Sequence, residues 1–224
     1  MLMSNKKTST PLPENSAGLG LERIVFFSDA VMAIAITLLV IDLKLPDLPP
    51  AVAAAELPTR LAELTPRIMS FVISFAVVGV YWTSHHRYFG HIQRYDGRLL
   101  VLNLIFLLFI VLMPFVASLL GQYGYLPIGV ITYGLAVAAT GFSIGAIWWY
   151  AAYRHRLVSD DLDDHFIQVR NRVALVVPLI FLVSVPFAWL NPLITLAIWW
   201  TAPFVSIVIL RLLERRSMNK KDRH

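Results

Sequence analysis

Arg23-Ile-Val-Phe-Phe27-Ser28-Asp29, continuing as Ala-Val-Met-Ala-Ile34-Ala-Ile-Thr37-Leu38-Leu-Val-Ile41-Asp42-Leu43, sets a polar cluster at the mouth of an apolar run. Only Asp42, near the far end, interrupts that run with a charge. An ionised Asp inside a membrane span costs about 3 kcal/mol unless it is partnered or wetted, so such a residue marks a functional or structural site by default. No Pro or Gly falls between Glu22 and Leu45, so the segment predicts one unbroken helix long enough to cross a bilayer.

The composition agrees with a membrane protein. Of 224 residues, 58% are hydrophobic and 15% charged, against roughly 45–50% and 25% in soluble domains. The absence of cysteine excludes disulfides, thiolate metal sites and thiol catalysis. The net charge of +5 could suit a nucleic acid, but the basic residues lie between apolar spans, so they predict membrane orientation and no nucleic-acid partner. Residues 1–20 are polar, rich in Pro and Gly and without an apolar signal core; they read as a disordered cytoplasmic tail.

Outward from the first run, the hydropathy pattern predicts an all-α integral membrane protein of six spans, at about 23–45, 67–88, 99–120, 128–153, 173–190 and 192–213. Together they form a six-helix transmembrane domain over 21–213, followed by a basic cytoplasmic tail at 214–224. Pro66 suits the first turn of the second helix, Pro114 predicts a kink in the third, and Asn191-Pro192 splits the last two. With the N-terminus inside, sixteen of the nineteen Lys and Arg fall on inner segments, and only Lys44, Arg60 and Arg67 lie outside. The positive-inside rule then places both termini in the cytoplasm of a cell (plasma) membrane protein.

Trp148, Trp149, Trp189, Trp199 and Trp200 lie near proposed span ends, either as interfacial anchors or as packing aromatics. The outer loop 46–66 holds an Ala/Leu/Glu-rich stretch, 51–64, that can form a short surface helix. In the inner loop 154–172, Asp160, Asp161, Asp163, Asp164 and His165 lack a second His at ligand spacing, so they predict a solvated helix start and no metal site.

On an ideal helix at 100° per residue, with Ile34 at zero, Thr37 falls at about −60°, Leu38 at about +40° and Ile41 at about −20°. These four make one apolar and hydroxyl stripe. Ser28 and Asp29 fall at about +120° and −140°, away from it. If the stripe faces a pore, the Ser-Asp pair faces protein. Candidate partners at the same membrane depth are Trp82, His85 and His86 at the inner end of the second span, and Asn103 in the third. An Asp, an indole N–H, an imidazole and an amide can satisfy one another, as a low-dielectric interior demands.

Arg23, Phe27, Ser28 and Asp29 in this spacing resemble the signature of the TMEM175 (DUF1211) family of potassium channels. The string Tyr81-Trp82-Thr-Ser-His85-His86-Arg87-Tyr-Phe89 and the Asn103-bearing third span resemble that family's next two helices. The whole chain is similar to the single-repeat prokaryotic members rather than to the doubled animal form. The resemblance implies a homotetramer in membrane lipid, with the first helices around a central pore. It implies an apolar constriction at Ile34, a hydroxyl layer at Thr37 and a further ring at Ile41, with Leu38 beside them. The four signature residues then act as a helix lock. Permeant potassium is the expected ligand, with no cofactor, no metal beyond transient monovalent cations and no enzymatic activity. No Thr-Val-Gly-Tyr-Gly string is present, so a carbonyl filter is unavailable to this chain. The alternative is a secondary transporter of a small solute or ion, for which Asn103, Thr132, Thr140 and Ser143 are a thin polar set.

Overall fold

The structure, a computed structural model, describes residues 15–45 and 47–201. The tail at 214–224, the second half of the last predicted span and most of the N-terminal tail lie outside the described residues. Helix α1 is Asn15–Leu38, followed by a 3-10 turn at Leu39–Asp42. The remaining helices are α2 (Pro50–Glu63), α3 (Thr65–Phe89), α4 (Gly97–Tyr123), α5 (Pro127–Ala152), α6 (Asp164–Ser184) with a 3-10 extension at Val185–Trp189, and α7 (Pro192–Thr201). Among the described residues, five helical stretches are long and apolar enough to cross a membrane: Gly18–Asp42, Thr65–Phe89, Gly97–Tyr123, Pro127–His155 and Asp164–Trp189.

The layout is a row of packed rods. Helix α1 packs on α3 and α4; α4 packs on α5; α5 packs on α6. Each buries a stripe at helical spacing. On α1 and the 3-10 turn that follows it the stripe is Ile24, Ser28, Met32, Ala35 and Leu39; on α3 it is Ser70, Ser74, Val78, Tyr81 and His85. The polar members of the α3 stripe find acceptors across the bundle, because lipid offers none. The Ser70 hydroxyl donates to the Ala117 carbonyl at 2.6 Å, Ser74 to the Tyr133 hydroxyl at 3.1 Å, and Tyr81 to the Val137 carbonyl at 2.7 Å. Small residues let α5 and its neighbours approach closely. A Cβ on Gly141 would lie 2.9 Å from Pro178, and one on Gly134 would lie 3.0 Å from the Trp199 ring.

Three expectations change, and one left open is decided. Helix α1 starts at Asn15, inside the segment read as tail, and its α-helical part stops at Leu38, so it is not one α-helix to Leu45. The tightened turn is stitched to α4: the Ser118 hydroxyl donates to Asp42 Oδ1 at 2.9 Å and receives Gln122 Nε2 at 2.8 Å. Such 3-10 turns are frequent where a helix ends. Helix α6 begins nine residues before the span predicted at 173, because Asp163 accepts the His165 N–H at 3.0 Å and starts the helix before the membrane-compatible stretch. Trp148 and Trp199 are buried, with Trp199 Nε1 donating to Ser184 Oγ at 2.7 Å, so these two pack within the protein while Trp149, Trp189 and Trp200 stay exposed.

Candidate functional site: the signature cluster and the open face of α1

Ser28 sits on the buried stripe of α1, where it meets α3 and α4, and its side chain is sealed from solvent. Asn103 Nδ2 donates to Ser28 Oγ at 2.9 Å, and Ser28 Oγ donates to the Ile24 carbonyl at 2.8 Å. His85 Nε2 lies 3.1 Å from Asn103 Oδ1; an amide oxygen can only accept, so Nε2 carries the proton. The result is a directed chain, His85 to Asn103 to Ser28 to the α1 backbone, crossing three helices. The His85 ring stacks on Phe89 at 4.2 Å and on Phe106 at 5.6 Å, and its Nδ1 has no partner among the described residues. This ring is therefore held by aromatic faces on its sides and by one hydrogen bond at its tip.

Asp29 is partnered separately. It accepts the Trp82 indole N–H at 3.0 Å, and Trp82 in turn stacks on His86 at 6.0 Å between centroids. Of the partners predicted from sequence, Trp82, His85 and Asn103 are thus brought to the Ser-Asp pair, while His86 reaches it only through Trp82. The expected helix lock divides, however. Arg23 is exposed and forms no salt bridge among the described residues, and Phe27 is 54% exposed. The reason is the helical period: positions 23, 27 and 34 share a face, and 28 is about 100° further round.

That second face is uncovered. Ile34 is 58% exposed and Ile41 61%, and Leu38 and Thr37 are also exposed. The Thr37 hydroxyl donates to the Ile34 carbonyl at 2.8 Å, which spends its proton on the backbone and leaves the oxygen lone pairs free. The 3-10 turn rotates Ile41 by roughly 60° from its α-helical azimuth, three residues at about 120° replacing three at about 100°. Ile41 consequently keeps to the open side but not to the predicted line. The Asp42–Ser118–Gln122 chain was not foreseen. Its signal was present as the lone charge at the end of the run, with Ser118 at matching depth in the third span.

Comparison with known proteins places this arrangement. The sequence profile of a family described as "Endosomal/lysosomal potassium channel TMEM175" matches residues 23–114, which hold the signature, the Trp82–His86 segment and Asn103. A protein named as a potassium channel in Streptomyces collinus is 32% identical over 145 residues, 63% of this chain and 69% of that protein. Another in Chamaesiphon minutus is 31% identical over 172 residues, 75% of this chain and 84% of that protein. The crystal structure of a lysosomal potassium-selective channel TMEM175 homolog from Chamaesiphon minutus superposes with a TM-score of 0.72 at 26% identity, over 87% of this chain and 98% of that one. With the hydrogen-bonded signature on α1, α3 and α4 and these matches, the chain belongs to the TMEM175 family of ion channels and is not an enzyme.

Proposed function

We propose that the chain is one subunit of a potassium-permeable channel in which α1 of each subunit lines the pore. The observation that carries this reading is the two-sidedness of α1: one stripe is bonded into the bundle through Ser28, while the opposite stripe of Ile34, Thr37, Leu38 and Ile41 is left without a protein neighbour. A single helix cannot enclose a pore, so several copies must meet around an axis, and a homotetramer with cyclic symmetry is the assembly proposed. Relatives named as potassium channels support the permeant ion.

In that assembly Ile34 forms the apolar constriction, which gates by dewetting because a ring of aliphatic sec-butyl side chains offers a cation nothing to bind. Thr37, one turn away, supplies the oxygen lone pairs. Leu38 and Ile41 continue the wall outward. Ser28 and Asp29 fix the rotation of the helix and stay off the ion path, and Arg23 and Phe27 lie at the inner mouth on the pore side. Six spans, with both termini cytoplasmic in a plasma membrane, complete the reading, on the asymmetry of Lys and Arg.

The test is reversal-potential measurement on the purified channel in bilayers. Ile34→Asn puts a polar group in the constriction, so conductance should rise and selectivity weaken. Thr37→Val keeps shape and removes the hydroxyl, so the preference for potassium over sodium should fall while assembly persists. Wild-type conductance and unaltered permeability ratios in both variants would show that this face looks at lipid or protein.

A further inference from the structure

Helices α3 and α6 both pack on α5 without packing on each other. The gap between them is a groove of about 650 Å³, floored by Ile144 of α5 and walled by α3, α6 and the two tryptophans Trp199 and Trp200. Its body is apolar. Along α3 it runs from Val72 to Arg87, about 22 Å at 1.5 Å per residue. That exceeds the roughly 15 Å of one leaflet's hydrocarbon, half of the core of about 30 Å.

The two charged groups in the lining lie at one end. Arg87 is in the last turn of α3 and Arg170 in the second turn of α6, and the antiparallel course of these helices puts both at the same membrane surface. Neither guanidinium has a carboxylate partner among the described residues. Arg170 instead lies 5.1 Å over the Phe166 ring. Two unpaired arginines at the mouth of a long apolar trough between membrane helices are complementary to one kind of molecule: an anionic phosphate head joined to an acyl chain.

We propose that this groove is a binding site for an anionic phospholipid, with the headgroup phosphate between Arg87 and Arg170 and one acyl chain lying along α3 toward Val72. Gly79 is the point at which the trough is narrowed most simply, because a Cβ built there meets no atom within 4 Å. The proposal does not rest on the channel reading, although Trp82, which lines the trough, is also the residue that holds Asp29.

The test is native mass spectrometry of the delipidated, detergent-solubilised protein titrated with phosphatidylglycerol or with phosphatidylcholine of the same chains. One phosphatidylglycerol per chain should be retained at concentrations where phosphatidylcholine is not. Arg87→Gln/Arg170→Gln should weaken phosphatidylglycerol by roughly 30-fold, as loss of two basic contacts to an anionic head predicts. Arg87→Lys/Arg170→Lys should keep most of the preference. Gly79→Leu should weaken both lipids with the arginines intact, and it replaces a poor helix former by a good one, so folding is retained. Equal affinity for the two lipids overturns the proposal, as does phosphatidylglycerol binding that survives the double glutamine variant. A change of oligomeric state in Gly79→Leu also overturns it, by showing the groove to be a contact between copies. No ion flux is read, so failure here leaves the pore assignment standing, and failure of the pore leaves this site standing.

Discussion

At the scale of single residues, Asn103 does the most. Its amide accepts from His85 and donates to Ser28, both sealed from solvent. Neither neighbour has a substitute partner close by, and lipid supplies none. Asn103→Leu keeps the approximate volume but leaves a buried hydroxyl and a buried ring N–H with fewer bonds, which should cost about 1–3 kcal/mol. The expected outcome is a clear fall in the melting temperature of the detergent-solubilised assembly. Asp29→Ala removes the acceptor of the Trp82 indole and should act in the same direction, whereas Asp29→Asn retains an acceptor and should be mild. A stable Asp29→Ala assembly with altered ion preference would move Asp29 into the permeation path. The Ser-Asp pairing with α3 and α4 was legible because an uncharged amide, an indole and an imidazole share its depth in the sequence. The division of the signature into a bonded half and an open half was legible only from the period of the helix. The identity of Arg23 and Phe27 as motif members conceals it.

At the scale of elements, helix starts decide where each rod sits. Asp96 caps α4: its Oδ1 accepts the Leu99 N–H at 2.8 Å and its Oδ2 accepts the Tyr150 hydroxyl at 2.6 Å, so one carboxylate joins α4 to α5. Partial desolvation pushes this carboxyl up, but the Tyr150 hydroxyl, the Leu99 and Arg98 N–H groups and the Arg156 charge together hold it below the usual carboxylate range. A folded-state value below the unfolded one, about 3.9, means that the charge stabilises the fold above that pH. The contribution is lost as pH falls through the folded value. Asp96→Asn keeps a capping oxygen and removes the charge. Its deficit in melting temperature relative to wild type should therefore be present near neutrality and shrink below about pH 4. A deficit independent of pH would show that the cap acts without its charge. Asp96→Ala loses the cap as well and should cost about 1 kcal/mol or more. Span positions for α3, α4 and α5 were readable from hydropathy to within a few residues. The early start of α6 was not, because Arg170 and Arg172 read as loop charges when they lie in the first turns of a helix already capped at Asp163.

At the scale of the whole molecule, the row of helices leaves two surfaces uncovered by its own helices. Helix α1 stands at one end of the row with a broad face exposed, and the second surface is the groove between α3 and α6. The direction of insertion proposed for this bundle rests on charge alone. Sixteen of nineteen Lys and Arg lie on segments that share one side if the apolar helices alternate across the bilayer, and the remaining three cluster in or beside the segment that forms α2. Helix α2 has no buried residue, and its Arg60 pairs with Glu56 at 3.6 Å and with Glu63 at 3.3 Å. It therefore lies uncovered by the rest of the protein, on the side proposed as external. Because the chain contains no cysteine, a single introduced thiol reports its own location without background. In intact cells an impermeant maleimide should label Ala54→Cys, on α2, and should label Ser4→Cys only after the membrane is opened. The reverse pattern would invert the molecule and place Arg87 and Arg170 at the outer surface. Labelling of both sites in intact cells would put the N-terminus on the same side as α2, so that α1 does not cross the membrane between them, and the six-span count would fall with the orientation.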